Sequence, residues 1–436
     1  MSSEAEEKSP SKPRKRRPAL RIMLGCGLFV LVLIAVAGLV FVPNMIDEAP
    51  YDAPDLAVTP PDIPPHDNAA EEFLALWDER LPDLGEDLEF SFTLAVEEEQ
   101  AFTFLEENRD QYEEYWRSIL LRLEAIDELS ERPHIQFEVS TKFGSGEDHV
   151  HLVKHTAELQ HARLQVTKGR QDSALLLRQL ESWGKFASKF SRSQSSLITA
   201  LVVVAYSTFY SEQVQKFVHA SEGDLRPLRK VLGEFRTDRQ QISDALRVEY
   251  QQFRSVLMNP QEFDLPSGSS PMRVLLLPNR TDRQYAEMLR ASIKEYETFG
   301  RISMTTNVRQ PEGVWDFLVE GNSAGRALIF LLMPHYSSIA EKGIRSATIV
   351  RATELMVALM IYEEESGALP EKLADLVPGV LPAVPIDPRD QLPLRYDRER
   401  RVVWGVGIDG VDDGGTDEPR AKDAADIVVS IPKRGE

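Results

Sequence analysis

The stretch "SSIAEKGIRSATIVRATELMVALMIYEEESG", residues 337–367, reads as one long helix closed by Gly367 as a left-handed cap. The chain then changes character. "LPEKLADLVPGVLPAVPIDP", 369–388, is short and punctuated by proline, and "LRYDRERRVVWGVGI", 394–408, has the form of a β-hairpin with strands at 394–396 and 401–408 around a charged turn. "ADIVVSI", 425–431, supplies a third strand. Between the last two lies "GIDGVDDGG", 407–415, with four glycines and three aspartates in nine residues. Together these elements predict a small α+β module over 334–436.

Upstream, 69–333 reads as a helical bundle domain. Residues 105–129 place Leu105, Tyr112, Trp116, Ile119, Leu120, Leu123 and Ile126 at three- and four-residue steps, the spacing of one helix face. Residues 156–190 read as helix, a break near Gly169, then helix. Residues 195–220 are strongly apolar. Their core "LITALVVVAY" reads as too short to span a bilayer, so a buried central helix is expected. Residues 224–257 and 282–299 read as two further amphipathic helices. No period recurs cleanly three times, so a solenoid is not indicated.

Working further outward, residues 43–68 hold seven prolines and read as a stiff extended spacer that stands the folded part off. Before it, "LRIMLGCGLFVLVLIAVAGLVFV", 20–42, is apolar apart from Arg21, and Ile22–Val42 is long enough as a helix to cross a bilayer. The basic tail 1–19 contains "KPRKRR", whereas "PNMIDEAPYDAPD" after the span has no Lys or Arg. The positive-inside rule then predicts a single-pass protein of the inner (cytoplasmic) membrane, N-terminus cytoplasmic and bulk periplasmic or extracytoplasmic. A cleaved signal peptide is the rival, with Ala35 and Ala37 in an A-x-A pattern. The apolar run, however, continues to Val42 and is long for a signal core. The fold class is thus mainly α: one transmembrane helix, a helical bundle, then the α+β module.

The formal net charge is -20; residues 1–42 carry +4, so the rest carries -24. A body this acidic argues against a nucleic-acid partner, which would need Lys and Arg to neutralise phosphates. The single cysteine, Cys26, excludes an internal disulfide framework and a multi-cysteine zinc site.

The C-terminal order resembles the globular domain of the major pseudopilin of type II secretion systems. The residues that carry the resemblance are Gly367, Leu369, Pro370 and Leu373; Pro385, Asp387, Pro388, Pro393, Leu394 and Tyr396; Gly407, Asp409, Gly410, Gly414 and Gly415; and Asp426 and Ile427. The string with "DDGG" also resembles membrane-anchored proteins of planctomycete and verrucomicrobial bacteria. The likeness covers 337–431. Two departures stand out: Arg389 where an aromatic usually follows D-P, and Trp404-Gly405 where Tyr-Ser is usual. Nor does the start of the apolar span match a pilin leader, since Arg21 enters it directly and no Glu sits near its start. Processing and filament assembly are therefore not implied.

From Asp409 to Asp426 there are seven carboxylates, opposed within that stretch only by Arg420 and Lys422. Ca²⁺ takes six to eight oxygens in irregular geometry, which suits a flexible Asp- and Gly-rich loop. An EF-hand register fails, because Val411 and Arg420 fall where acids are needed; a phosphate cradle fails on charge and on the missing Lys. The resemblance implies calcium at Asp409 and Asp426, with Asp412, Asp413 or Asp423 as partners. The plainer reading is an exposed turn with solvated acids.

Four histidines cluster at His149, His151, His155 and His161. His151 and His155 are one helical turn apart, but no H-E-x-x-H or third ligand completes a metal set, and surface or capping roles fit better. No nucleophile elbow, Walker loop or dinucleotide fingerprint occurs. The expected function is a non-enzymatic, membrane-anchored structural or interaction protein with a protein partner in the envelope, secretion-apparatus-like, its C-terminal loop stabilised by calcium. The alternatives are an envelope peptide- or ligand-binding helical module and a hydrolase within the helical domain, the last requiring a pocket with perturbed groups near His149–His161.

Overall fold

Helices dominate because apolar side chains recur every three to four residues along most of the chain. The computed structural model describes residues 46–78, 81, 86–140, 149–259, 276–303, 321–416 and 425–433. The expected basic tail 1–19 and transmembrane helix 20–42 lie outside them. The helices are α1 (Ala70–Ala75), α2 (Glu86–Glu97), α3 (Ala101–Glu107), α4 (Arg109–Leu129), α5 (His149–Gly169), α6 (Ser173–Ser191), α7 (Leu197–Phe217), α8 (Arg226–Gly233), α9 (Gln240–Met258), α10 (Pro278–Phe299) and α11 (Ser323–Ser366). Three strands follow, β1 (Arg395–Asp397), β2 (Val402–Gly405) and β3 (Ile427–Ser430), in one antiparallel sheet of order β1-β2-β3. Register pairs Tyr396 with Val403 and Val403 with Val429.

Several sequence expectations change in detail, each for a local reason. The helix expected over 105–129 is two, because Asn108 donates its side-chain amide to the Phe104 carbonyl (2.8 Å) and competes with the helical ladder. The helix expected over 224–257 breaks after Gly233. There Phe235 turns in to stack on Tyr210 (centroids 5.5 Å apart) and the Arg236 N–H is taken by Ser191 Oγ (3.0 Å). The long helix α11 begins at Ser323 and runs through position 334, so the boundary expected there falls inside a helix. Its start is fixed by Asn322, at φ +52°, whose side chain accepts from Leu277 N–H (3.0 Å) and Thr281 Oγ (2.9 Å) and so ties α11 to the start of α10. Gly367 closes α11 at φ +76°, as expected.

α7 is the central helix. Among the described residues it is the one helix, taken over Leu197–Ala220, long and apolar enough to cross a membrane by length and composition, so the expectation that this stretch is too short does not hold. Burial supports its place in the core: Ala200, Val203, Tyr210, Val214 and Phe217 are buried, and α5, α6, α9 and α11 pack around it. Its buried tyrosines are bonded inside: Trp183 Nε1 donates to Tyr206 Oη (2.9 Å), and Tyr210 Oη donates to the Leu180 carbonyl (2.9 Å). Gly184 makes room for that tyrosine, since a Cβ there would lie 2.2 Å from Tyr210 Oη.

Two apolar clusters form, and α11 passes through both. Its first half gives Ile329, Tyr336, Ile339 and Ile344 to a cluster with α9, α10 and the start of α7. Its second half gives Val350, Leu355, Met356 and Leu359 to the main cluster, shared with α4–α8 and with Val403 and Val429 of the sheet.

Part of the proline-rich segment, Asp47 to Leu56, packs against the helical body. Ala53 and Leu56 are buried in the α9–α10 cluster. The Asp47 carboxylate accepts from the N–H groups of Asn279 (2.9 Å) and Arg280 (3.0 Å) and so caps the first turn of α10 from outside. Glu48 pairs with Arg280 and Arg283, and Asp55 with Arg290. Prolines set the local stiffness, but these charges set where the segment lies.

Candidate functional site

Two regions gather chemistry-bearing side chains: the acidic loop of the C-terminal module and a cleft in the helical bundle.

In the module, Asp387 is fully buried at the D-P corner. It accepts from the N–H of Arg389 (2.8 Å) and of Val406 (2.7 Å) and from Arg395 Nη1 (3.2 Å). Burial pushes its carboxyl up, opposed by those hydrogen bonds and by Arg395. Gly405 is what lets the corner close, since a Cβ there would lie 2.5 Å from Thr348 Cγ2 and 2.8 Å from Asp387 Oδ2. Arg395 also reaches Asp390 and Asp412.

The five carboxylates expected to bind calcium are treated unequally. Asp412 is taken by protein: Trp404 Nε1 (2.9 Å) and the Gly414 N–H (3.0 Å) donate to its Oδ1, and Arg395 Nε (3.3 Å) to its Oδ2. Asp409 is exposed, accepts from Val411 N–H (3.0 Å), and bears on Arg389 electrostatically. Asp426 is buried. Its Oδ2 receives the N–H groups of Asp413 (3.0 Å) and Gly415 (2.8 Å), while its Oδ1 has no hydrogen-bond partner. Burial raises the Asp426 carboxyl, and Asp412 and Asp413 push it the same way, so these three are brought close. Asp423 lies outside the described residues. Among the described residues no three His, Cys, Asp or Glu side chains converge well enough to hold a metal ion. The oxygen donors and the orphaned Asp426 Oδ1 fit a hard cation; Asp412, committed to Arg395 and Trp404, does not fit as it stands.

Both departures from the pseudopilin pattern have structural roles. Arg389 donates to the carbonyls of Gly300 (2.9 Å), at the end of α10, and of Ile408. Arg239 answers from the helical side, donating to the carbonyls of Pro388 (2.7 Å) and Arg389 (3.0 Å). Trp404 covers Gly415, at φ +67°, where a Cβ would lie 2.7 Å from the indole. Arg389 and Trp404 thus join the module to the helices and shut the loop.

The second region lies where the hydrolase alternative required a pocket, near His149–His161, and two of those histidines line it. A half-open cleft of about 370 Å³ lies between α2, α4, α5 and α7, lined by Phe92, Tyr115, Phe209, Glu97, Glu99, Glu158, His155, His161, Gln213 and Lys216 among others. The volume is at the small end of ligand pockets. His161 is a buried polar element of its wall. Gln165 Nε2 donates to the Val96 carbonyl (2.9 Å) while its Oε1 accepts from Ala101 N–H (3.2 Å), which fixes the amide orientation. The same Nε2 lies 2.6 Å from His161 Nε2, which must therefore accept. Burial holds the imidazole below its usual range, with Gln213 opposing, so the ring is neutral at pH 7 and carries its proton on Nδ1. Neither His161 Nδ1 nor Gln213 Oε1 closes a well-formed hydrogen bond, although the two side chains are neighbours. A buried polar atom left so costs roughly 1–3 kcal/mol.

The rim is acidic. Glu97 ends α2, where a carboxylate opposes the helix dipole. Glu99 follows at φ +63° in a left-handed closure, with Gln100 N–H on the Ala95 carbonyl (2.7 Å) and Glu99 N–H on that of Val96 (3.2 Å), a place that usually takes glycine. Glu99 pairs with Lys216, and Glu158 with His155 (3.5 Å) and Lys154 (3.6 Å). Glu97 forms no ion pair among the described residues.

The four histidines do not share one site. His149 stacks on Phe137 (centroids 4.3 Å apart) beside Thr199, His151 is exposed, and only His155 and His161 line the cleft. No family profile, curated protein or solved structure matches the chain.

Proposed function

We propose that this chain is a membrane-anchored, extracytoplasmic structural or interaction protein. Ile22–Val42 would be its single span, the N-terminus would be cytoplasmic, and the pseudopilin-like module would meet a protein partner in the envelope. The observation that carries the reading is the build of residues 323–431: one long helix closed by Gly367, the Asp387 corner, a three-stranded antiparallel sheet, and a Gly/Asp loop between β2 and β3. That order is the basis of the pseudopilin likeness, and with it comes calcium at the loop. Supporting calcium are the all-oxygen donor set and Asp426 Oδ1, buried without a partner.

The test is thermal unfolding of the protein in EGTA and in millimolar Ca²⁺, beside an Asp409→Ala, Asp426→Ala double variant. With free calcium at ten times Kd the expected gain is about 1.4 kcal/mol, a rise of roughly 2 °C for a chain of this size, absent from the variant. Equal midpoints in EGTA and calcium for the parent protein would remove calcium from the reading. Reading the increment rather than the midpoint separates ion binding from general damage by Asp426→Ala.

A second reading, an envelope ligand-binding module, is favoured by the helical cleft and its buried, incompletely bonded wall.

A further inference from the structure

We infer that the cleft between α2, α4, α5 and α7 takes a small organic cation, an amine on an aromatic or aliphatic body. The inference rests on the second reading, that the cleft binds a ligand, and is independent of the calcium loop.

Charge comes first. Three carboxylates, Glu97, Glu99 and Glu158, face the cleft, against Lys216 and His155. Lys216 is matched to Glu99 and His155 to Glu158, which leaves Glu97 as the acid with no ion pair among the described residues. Its position at the last turn of α2 adds the negative end of the helix dipole to its own charge, so a cation at this rim meets two attractions at once. Glu99 is the second sign. An L-residue at φ +63° holds a conformation that glycine adopts more readily, and here it directs a carboxylate to the cleft.

The body of the ligand is set by the walls. Phe92 and Tyr115 are buried, and Phe209 lies across from them on α7. Aromatic faces favour an apolar body and attract a neighbouring cation through the ring quadrupole. Deeper in, His161 and Gln213 add a polar pair to the wall, the Nδ1–H of one beside the Oε1 of the other. A ligand with an ammonium at the rim and an apolar body against the aromatic walls matches the cleft along its depth. An anion is excluded by the rim.

Tyramine has these groups; 4-ethylphenol keeps the body and hydroxyl without the charge, and 3-(4-hydroxyphenyl)propionate reverses it. Calorimetric titration of the full chain in detergent is expected to give tyramine at least fivefold tighter than 4-ethylphenol, weaker as salt is raised, with the propionate below detection. Glu97→Gln and Glu99→Gly should each lower tyramine affinity several-fold and leave 4-ethylphenol unchanged. Equal affinity for tyramine and 4-ethylphenol, or indifference to both substitutions, would overturn the cation while leaving a binding cleft. No heat from any of the three probes at millimolar concentration would overturn the ligand-binding reading as well.

Discussion

The acidic loop and the helical cleft both gather carboxylates, and they balance them to different degrees. In the loop most of the charge is met from within the fold: Arg395 spans Asp387, Asp390 and Asp412, Trp404 holds Asp412, and backbone N–H groups hold Asp426 Oδ2, leaving Asp426 Oδ1 open. In the cleft Glu97 has no ion pair among the described residues and two buried polar atoms lack proper hydrogen bonds. Groups whose bonding is complete, such as Asp387 and Asp412, hold a structure together, whereas incompletely bonded ones, Asp426 Oδ1 in the loop and the polar atoms of the cleft wall, leave chemistry for something that arrives from outside.

The sharpest way to break this contrast is Arg395→Ala. It removes the cation beside buried Asp387 and should cost about 3 kcal/mol in equilibrium unfolding, within the range for one partner lost from a buried pair. A loss under 1 kcal/mol would mean that the two backbone N–H groups on Asp387 suffice and that the arginine is dispensable.

The cleft should answer to pH instead. Burial lowers the His161 pKa in the folded chain below 6.5. The unfolded chain then binds the proton first, so stability is full above pH 6.5 and falls as the pH drops through that value. His219, also lowered by burial, acts with the same sign. Buried carboxyls such as Asp387 and Asp426, which are raised, act with the opposite sign at lower pH. The readout is therefore a difference: between pH 7.5 and 5.5 the parent protein should lose more stability than His161→Phe. Parallel profiles would show His161 to be solvated.

The smallest expected effect is Glu99→Gly. Glycine relieves the left-handed strain at φ +63° and forfeits an exposed ion pair with Lys216, so unfolding should change by no more than about 0.5 kcal/mol, in the stabilising direction. A clear destabilisation would assign Glu99 to holding α2 in place and weaken the contrast with the loop.

Local features were readable from the sequence. The helical periodicity, the Gly367 cap, the Gly169 break and the three C-terminal strands all depend on neighbouring residues. Of the cleft only the histidine wall was readable, because the other walls come from helices spread between Phe92 and Lys216 and no single segment carries the pattern. Within the loop, counting opposing charges between Asp409 and Asp426 missed Arg395, which reaches in from β1, and Trp404, from β2. The packing of Asp47, Glu48 and Asp55 was hidden for the same reason: their arginine and backbone partners lie on α10, more than two hundred residues on.

That last attachment limits how far the body can stray. On the proposed topology the span ends at Val42, and Asp47 is already fastened to α10 five residues later. Five extended residues reach at most about 17 Å. The start of α10 would thus ride close to the lipid headgroups on a short leash, and any partner would meet the protein at nearly constant height and from the far side.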